Sequence, residues 1–276
     1  METGTAKLQP ESLRGDEFRG ARAIAAVLKP LDAELYALTH RGNAGDVAHY
    51  VEVCRGADSV LELGSGYGRM LEALAEPKRA LFGLELDPSL LALGRKAVAA
   101  LPAAKRRGVT LVQGDMQQIS LGRTFDRVLL PYNALYCLLS ARAVERCFLS
   151  VRAALGAGGL FAFDVWNADR LGDEGLSPSD EAQALTAFDH AGRRWVAFET
   201  CRRARAPERL DVTYTYVPSG RAARRSQVVR QRYYRSAQLL ALLAKCGFAV
   251  QSKHGNFTGA RFNERAARLV VVARAI

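Results

Sequence analysis

Three glycines at alternate positions are the first feature of the chain that suggests ligand chemistry. Gly64, Gly66 and Gly68 follow the apolar run SVLEL at residues 59–63. Glycine allows a tight turn that brings backbone amides close to a ligand, and the N-terminus of a following helix adds partial positive charge. The spacing is G-x-G-x-G, and Arg69 takes the place of the third glycine in the dinucleotide pattern G-x-G-x-x-G. The pattern therefore favours a nucleoside ligand without a pyrophosphate.

Two acidic residues are placed to bind the polar groups of such a ligand. Glu62 comes just before the glycines, where a carboxylate can accept hydrogen bonds from an ammonium group or from water. Glu85 lies 23 residues further on, at the end of a predicted strand over residues 80–86. A carboxylate at that position can accept both hydroxyls of a ribose. Asp87 is a nearby competitor for this role, and an ordinary surface carboxylate would also fit.

The next two predicted strands also end in side chains that suit a nucleoside. Asp115 ends the strand at residues 109–115 and could accept the amino group of an adenine, with Met116 packed on the ring. An Asp here could equally cap the following loop. The residues PYN stand at the end of the strand at residues 125–131. Each feature is weak alone, but their order along successive strand ends predicts one nucleoside site.

The elements that must position these residues alternate between strand and helix from Ser59 onward. This alternation predicts an α/β fold with a doubly wound parallel sheet. Two late strands, FAVQSKH and ARLVVVARA, follow the amphipathic helix RSAQLLALLAKCG, and the last strand is expected to be antiparallel. The helix ARAVERCFLSVRAALGAGG is predicted over residues 141–159. The earlier strands are predicted at residues 59–63, 80–86, 109–115, 125–131 and 159–167.

Two segments lie outside this alternation. Residues 1–45 are predicted to form a loose tail and a helical cap, interrupted near Pro30, and residues 46–276 the main domain. Residues 183–235 are rich in β-formers and predict a small antiparallel insert. Within it, period-two alternation places four apolar or aromatic side chains on one strand face: Leu210, Val212, Tyr214 and Tyr216.

Taken together, these motifs resemble the class I S-adenosylmethionine-dependent methyltransferases, whose fold is a seven-stranded Rossmann-like sheet. The matching segments are VLELGSGYGR, GLELD, VQGDM, FDRVLLPYNAL and LLAKCGF, within about residues 46–274. The β insert and the ending HGNFTGARFNERAARLVVVAR are similar to bacterial small-molecule methyltransferases, including amino-sugar and other natural-product N- or O-methyltransferases.

The resemblance implies S-adenosylmethionine as cofactor and assigns its contacts. The glycine turn would hold the methionine end, Glu85 the ribose and Asp115 with Met116 the adenine, while residues 131–135 would lie near the sulfonium. One departure is that the usual LELGCGTG has Ser65 and Tyr67 here, so Tyr67 is expected to shape the pocket differently. The expected cofactor-binding residues are Glu62, Gly64, Ser65, Gly66, Arg69, Glu85, Leu86, Asp115, Met116, Pro131 and Tyr132.

The acceptor side is predicted less sharply, because a base is needed only if the acceptor must lose a proton. His254, Asp164 and Tyr132 are the catalytic candidates, and a structural role would fit His254 as well. No metal site is expected, since no cysteine pair has ligand spacing. The substrate-binding candidates, from the cap and from the strand ends, are Tyr36, His40, Asn133 and Trp166.

Charge and composition limit the kinds of partner that the chain is expected to have. The chain has 276 residues and a net charge of +11, much of it between residues 193 and 235. We interpret this as a solvated basic surface or a funnel for an anionic substrate rather than an RNA-binding face. No apolar run is long enough to span a membrane, and five scattered cysteines fit a cytoplasmic protein with reduced thiols. A homodimer is left open.

The sequence therefore predicts methyl transfer to an N or O atom of a small molecule, with secondary metabolism as the expected setting. The absence of N-P-P-Y or D-P-P-Y after the fourth strand disfavours nucleobase or amide N-methylation. The alternative is an RNA or protein methyltransferase that uses the basic insert, so a nucleic-acid partner is disfavoured but kept open. A non-catalytic cofactor-binding scaffold is a third hypothesis.

Overall fold

The computed structural model describes residues 32–171, 181–203 and 208–276. Most of the predicted N-terminal tail and cap falls on residues 1–31, outside the described residues. The described helices are α1 Ala33–Thr39, α2 Asp46–Val53, α3 Arg69–Leu74, α4 Pro88–Ala100, α5 Ala103–Arg106, α6 Ala141–Ala154 and α7 Ser236–Lys245. None of the helices in these ranges is long and apolar enough to cross a membrane.

A seven-stranded sheet organises the main domain, as predicted. Its strand order is β3-β2-β1-β4-β5-β11-β10, and β11 runs antiparallel to both of its neighbours. Strands β1 to β5 pair in parallel, so the carboxyl ends of β1 to β4 meet along one edge. The strands are β1 Ser59–Leu63, β2 Ala80–Glu85, β3 Val109–Gln113, β4 Phe125–Leu130, β5 Leu155–Trp166, β10 Phe248–His254 and β11 Arg268–Ala275.

The start of β5 differs from the prediction. The helix expected to reach residue 159 ends at Ala154, and the strand expected from residue 159 begins at Leu155. Gly158 has a φ of 72°, and a Cβ on Gly159 would lie 3.1 Å from the carbonyl oxygen of Phe125. The glycines therefore serve an irregular strand packed closely on β4, rather than the end of the helix.

The insert forms a second, antiparallel sheet with the order β6-β7-β8-β9. Its strands lie within the predicted range 183–235, but β6 was not predicted as a strand, because its side chains are mostly exposed and follow no clear alternation. On β8 the predicted face is confirmed, since every second residue is buried. The strands are β6 Gln183–His190, β7 Arg193–Arg203, β8 Arg209–Pro218 and β9 Arg225–Arg232.

The core has three parts. Two apolar clusters cover the two faces of the main sheet, and both include side chains of the central strands. The third cluster joins the inner face of the insert to α1, where Leu35 packs with Trp195, Ala197 and Tyr216. Burial of such side chains contributes on the order of 2 kcal/mol each. Helix α1 and the insert therefore form one packed unit beside the carboxyl ends of the main strands.

Candidate active site

The glycine turn connects β1 to α3 in backbone conformations that favour glycine. Gly64, Gly66 and Gly68 have φ values of 64°, 56° and 89°. Left-handed geometry at three positions is strained for residues with a Cβ. Gly66 donates its backbone N–H to Glu85 Oε2 at 2.7 Å, which ties the turn to the end of β2. The turn is thus a compact loop whose shape depends on glycine and on one carboxylate.

Two further glycines, which the sequence analysis did not single out, allow the turn to nest between β2 and α4. A Cβ on Gly94 would lie 3.0 Å from the carbonyl oxygen of Gly66, and a Cβ on Gly83 would lie 2.8 Å from Ser65 Oγ. Their signal in the sequence is a glycine inside an otherwise regular helix or strand, which often marks a close backbone approach.

Glu62 fits the role of binding an ammonium group. Its side chain is 2% exposed, and Oε2 has no hydrogen-bond partner among the described residues. Burial raises the pKa of Glu62 well above its usual range, while the Arg69 guanidinium acts to lower it. A buried carboxylate with an unpartnered oxygen is stabilised by an added positive charge. The residues around the turn therefore fit the amino-acid end of S-adenosylmethionine.

Glu85 and Asp87 take different roles in the structure. Glu85 is buried and accepts hydrogen bonds from the backbone N–H groups of Gly66 and Asp87, the latter at 2.8 Å. Burial raises the pKa of Glu85, and these backbone donors act to lower it. Asp87 instead caps α4, accepting from the backbone N–H groups of Ser89 and Leu90 at 2.8 and 3.0 Å. The competitor for the ribose is therefore already used as an N-cap.

Asp115 caps its own loop. Its Oδ1 accepts the backbone N–H of Gln117 at 2.8 Å, and the Gln117 amide also contacts both carboxylate oxygens. Met116 is half-buried against the core, and the carbonyl oxygen of Leu86 accepts from Gln113 Nε2 at 3.3 Å. All of these groups lie at the carboxyl ends of β2 and β3, where an adenine is expected. Their contact with that ring stays a prediction.

Asp164 lies at the centre of a buried network. It is 0% exposed, and its Oδ1 accepts from Tyr50 Oη at 2.7 Å and from the backbone N–H of Tyr132 at 2.8 Å. Its Oδ2 pairs with the Arg268 guanidinium at 2.5 Å. Both oxygens are therefore occupied by protein donors. The geometry suits positioning of the loop after β4 better than the catalytic role predicted from the sequence.

The loop after β4 is held in a strained shape by the same network. Tyr132 and Asn133 have φ values of 59° and 61°, an uncommon conformation for residues with a Cβ. Asn133 Oδ1 accepts from the backbone N–H of Trp166 at 2.6 Å and from Arg268 Nη2 at 2.9 Å. The Trp166 ring packs edge-on against Tyr136, at 5.2 Å between centroids. Asn133 and Trp166 thus fix the backbone that presents Tyr132.

Four aromatic side chains, which we call the aromatic pocket, come together above the end of the main sheet. His40 stacks on Tyr36 at 3.9 Å between ring centroids and meets Tyr214 edge-on at 4.4 Å and Tyr132 at 6.3 Å. Burial raises the pKa of the Tyr36 hydroxyl, and the nearby Glu85 carboxylate raises it further. The predicted residues Tyr36, His40 and Tyr132 are therefore brought together beside the expected ribose site.

Sequence reasoning missed two members of this region. Tyr214 was noted only as part of a strand face, and Glu199 on β7 was not considered. Tyr214 is the direct cross-strand neighbour of Glu199. Burial raises the pKa of Glu199, and the nearby Tyr214 hydroxyl acts to lower it. The available signal was a carboxylate at an apolar position of the alternation of β7.

Arg69 connects the glycine turn to the cap. Its guanidinium forms two contacts with the Asp46 carboxylate of α2, at 3.0 and 2.9 Å. It also lies over the Tyr132 ring, 5.5 Å from the centroid. Tyr67 donates its hydroxyl to the carbonyl oxygen of His40 at 2.8 Å. Arg69 and Tyr67 therefore join the turn to the aromatic pocket.

His254 lies in a different group of side chains. It ends β10, the edge strand of the main sheet, and its backbone pairs with Arg261. It is close enough to His49 to lower the pKa of that histidine, and the His49 ring is 5.8 Å from Phe257. The structure therefore places this predicted catalytic residue with His49 and Phe257, whereas Tyr132 belongs to the aromatic pocket.

His40 has a defined tautomer. Its Nδ1 lies 2.9 Å from the carbonyl oxygen of Tyr36, so Nδ1 carries the hydrogen and Nε2 the lone pair. Nε2 is buried without a hydrogen-bond partner among the described residues. Burial lowers the pKa of His40 to about 4, even though the Tyr36 carbonyl acts to raise it. His40 is therefore a neutral, aromatic group of the pocket at ordinary pH.

This pKa predicts that acidification destabilises the fold. His40 stays neutral in the folded state until about pH 4, whereas the unfolded chain takes up the proton near 6.5. The unfolded state binds more protons between these values, so stability present above pH 6.5 is lost as the pH falls. We expect a loss of about 2 kcal/mol between about pH 7.5 and about pH 5 from His40 alone.

Urea unfolding at the two pH values measures this effect. The variant His40→Asn keeps a donor for the Tyr36 carbonyl and should show a clearly smaller dependence on pH. Burial also lowers the pKa of His49, so part of the dependence should remain. If His40→Asn loses as much stability on acidification as the unaltered chain, the burial of a neutral His40 does not cause that loss of stability.

Comparison with known proteins agrees with this geometry. A family model described as "Methyltransferase domain" matches residues 60–159, which include the glycine turn and the ends of β1 to β4. The solved CcbJ methyltransferase from Streptomyces caelestis is 25% identical, with a TM-score of 0.73, and the match covers 84% of this chain and 89% of that one.

Two curated relatives differ in how much of the chain they match. A dTDP-3-amino-3,4,6-trideoxy-alpha-D-glucopyranose N,N-dimethyltransferase from Streptomyces venezuelae is 25% identical over 74% of this chain and 80% of its own length. The ribosomal RNA small subunit methyltransferase A of Geobacter sulfurreducens is 31% identical, over 52% of each chain.

The seven-stranded sheet, its glycine turn and these similarities lead to one conclusion. The chain is an enzyme, and its methyl donor is S-adenosylmethionine. Residues 60–159 carry a methyltransferase domain, and the fold is that of solved S-adenosylmethionine-dependent methyltransferases.

Proposed function

We propose that this enzyme methylates an amino nitrogen of a small, sugar-like molecule in secondary metabolism. The observation that carries the proposal is the aromatic pocket beside Glu85, with the Glu199 carboxylate directly across the strand pair from Tyr214 of this pocket. Aromatic faces and a carboxylate both attract a cationic amine. A pocket of this kind suits an amino group better than a neutral hydroxyl.

The proposed roles follow from where each residue lies. S-adenosylmethionine supplies a methyl group that is already activated on a sulfonium. Glu62 and Glu85 hold the cofactor's amino and ribose ends, and Tyr132 and Tyr36 exclude water and orient the acceptor above them. Positioning of two reactants in this way accounts for a large part of the rate of such a displacement. Asp164 acts as a positioning residue through Tyr132.

The extent of similarity supports a small-molecule acceptor. The amino-sugar enzyme matches over 80% of its own length, whereas the ribosomal RNA enzyme matches over about half. The basic charge of the insert is then explained as attraction for an anionic acceptor, such as one carrying a nucleoside diphosphate. We also propose a cytoplasmic location for the enzyme, and a homodimer stays a prediction.

We expect the purified enzyme to methylate dTDP-3-amino-3,4,6-trideoxy-alpha-D-glucopyranose, the acceptor named for the relative. Release of S-adenosylhomocysteine and a mass increase by one or two methyl groups measure the reaction. The matched control is the same sugar nucleotide with a hydroxyl in place of the amine, which should remain unmodified. Transfer to the hydroxyl alone would correct the acceptor atom, and transfer to an RNA fragment alone would replace this proposal with the RNA alternative.

A further inference from the structure

We propose that Glu199 and the Tyr214 hydroxyl form the subsite that binds the acceptor's ammonium group, and that Glu199 takes the proton this group must lose. The inference rests on the proposed function and adds a residue-level account of amine selectivity. Both residues come from the insert, on the inner face that packs on α1. The insert would then supply acceptor recognition, while the main sheet supplies the cofactor site.

The position of Glu199 in the sheet is the first argument. The strand alternation puts Glu199 on the inner face of the insert, the same face as Trp195, Ala197 and Cys201, and its cross-strand partner is Tyr214. Among the residues of β6 to β9, only Asp189, Glu199 and Asp211 are acidic, and the other two belong to the outer face. Glu199 is therefore a single carboxylate on an otherwise largely apolar surface.

The surroundings of Glu199 are the second argument. It is half-buried, and it forms no ion pair within residues 32–171, 181–203 and 208–276. Its cross-strand neighbour is the neutral Tyr214, and its charge also acts on the Tyr132 hydroxyl. A carboxylate half-buried among aromatic groups without a cation is costly for folding alone. A bound ammonium group would supply the missing charge.

The rings around this carboxylate are the third argument. Tyr214 is buried and meets His40 edge-on, which in turn stacks on Tyr36. His40 is neutral at ordinary pH, so no positive charge of its own repels a cation there. The faces of such rings attract ammonium groups and their methylated forms. The same subsite can therefore hold an amine before and after it gains a methyl group.

The chemistry balances with one proton transfer. The acceptor arrives as an ammonium ion and gives one proton to the Glu199 carboxylate, which becomes a neutral carboxylic acid. The amine nitrogen, now with a free electron pair, forms the new bond to the methyl carbon. The bond between that carbon and sulfur breaks, and its electron pair stays on sulfur. The products are a methylated ammonium ion and S-adenosylhomocysteine, and Glu199 later returns its proton to solvent.

The variant Glu199→Gln tests the subsite, because it keeps the size and an acceptor for Tyr214 but removes the charge. With dTDP-3-amino-3,4,6-trideoxy-alpha-D-glucopyranose as probe, we expect KM to rise at least about tenfold and kcat to fall at least about tenfold. Titration calorimetry of the same probe, without any methyl donor, should show an affinity loss of similar size. Affinity for S-adenosylhomocysteine should be unchanged.

Asp189→Asn is the matched control, since it makes the same chemical change on the outer face of the same sheet, at an exposed pair with Arg194. It should alter neither KM nor kcat. Tyr214→Phe should raise KM several-fold and leave S-adenosylhomocysteine binding intact. A Glu199→Gln enzyme that folds and keeps its KM and kcat for the amine would overturn the inference, even if the unaltered enzyme methylates the probe. Failure of the unaltered enzyme on every amine would instead remove the proposed function itself.

Discussion

Replacement of Glu85 by glutamine is expected to weaken S-adenosylhomocysteine binding about 100-fold. Glu85 uses both oxygens to accept backbone N–H groups, from Gly66 and from Asp87. An amide must turn its own NH2 toward one of these donors, so it disturbs the glycine turn and offers one acceptor fewer to a ribose. Loss of two hydrogen bonds to a charged acceptor costs about 3 kcal/mol, which is about two powers of ten in affinity.

Titration calorimetry with S-adenosylhomocysteine measures this loss, and Asp87→Asn is the control. Asp87 caps α4 and is the competing acidic residue of the same segment. Its replacement by asparagine keeps a capping side chain and should change affinity less than about threefold. The reverse outcome, with Asp87→Asn the more damaging change, would show that the ribose carboxylate has been assigned to the wrong residue.

The cofactor side of the site could be predicted because its signals are local in sequence. The glycine turn joins β1 to α3 directly, and Glu85 ends the neighbouring strand. The parallel order of strands then brings these ends to one edge of the sheet. Even here, the close approaches of Gly83 and Gly94 were not foreseen, because they depend on how α4 packs on the turn.

The acceptor side depends on contacts between distant segments, so it was predicted only in part. Tyr36, His40 and Tyr132 were candidates, but their association with Tyr214 and Glu199 requires the insert to fold over the cap. The alternation of the strands indicates which side chains share a face, but not what that face covers. The carboxylate of Glu199 at an apolar position of β7 was therefore visible in the sequence, but its association with the cap was not.

For Asp164, the sequence alone suggests a catalytic role that its buried contacts do not favour. An acidic residue at the end of a central strand is a reasonable catalytic candidate when only the sequence is known. Its partners Tyr50 and Arg268 are 114 and 104 residues away in the chain, and together they occupy the carboxylate. Asp164 could therefore have either a catalytic role or a structural one, and experiments can distinguish the two.

We expect Asp164→Ala to lower the free energy of unfolding by about 3–5 kcal/mol, because it breaks a buried ion pair and removes the acceptor of the Tyr50 hydroxyl and of the Tyr132 backbone N–H. Arg268 is only 14% exposed at its side chain, and the Tyr50 hydroxyl is buried. Asp164→Asn keeps an oxygen for Tyr50 and for the Tyr132 backbone, so about 2 kcal/mol is expected. Urea unfolding at neutral pH measures both values.

A double-mutant cycle separates the positioning role from a catalytic one. If Asp164 acts mainly by holding Arg268, the pair Asp164→Asn with Arg268→Gln should be less destabilised than the sum of the two single variants. The Asp164→Asn enzyme should then lose methyl transfer only moderately, because part of the protein is unfolded and the loop at Tyr132 is altered. A variant that is fully folded, binds S-adenosylhomocysteine normally and has lost kcat by several powers of ten would instead require the carboxylate in the reaction itself. Because both oxygens already accept hydrogen bonds from protein donors, with Tyr50 and Tyr132 on one and Arg268 on the other, we expect the first result.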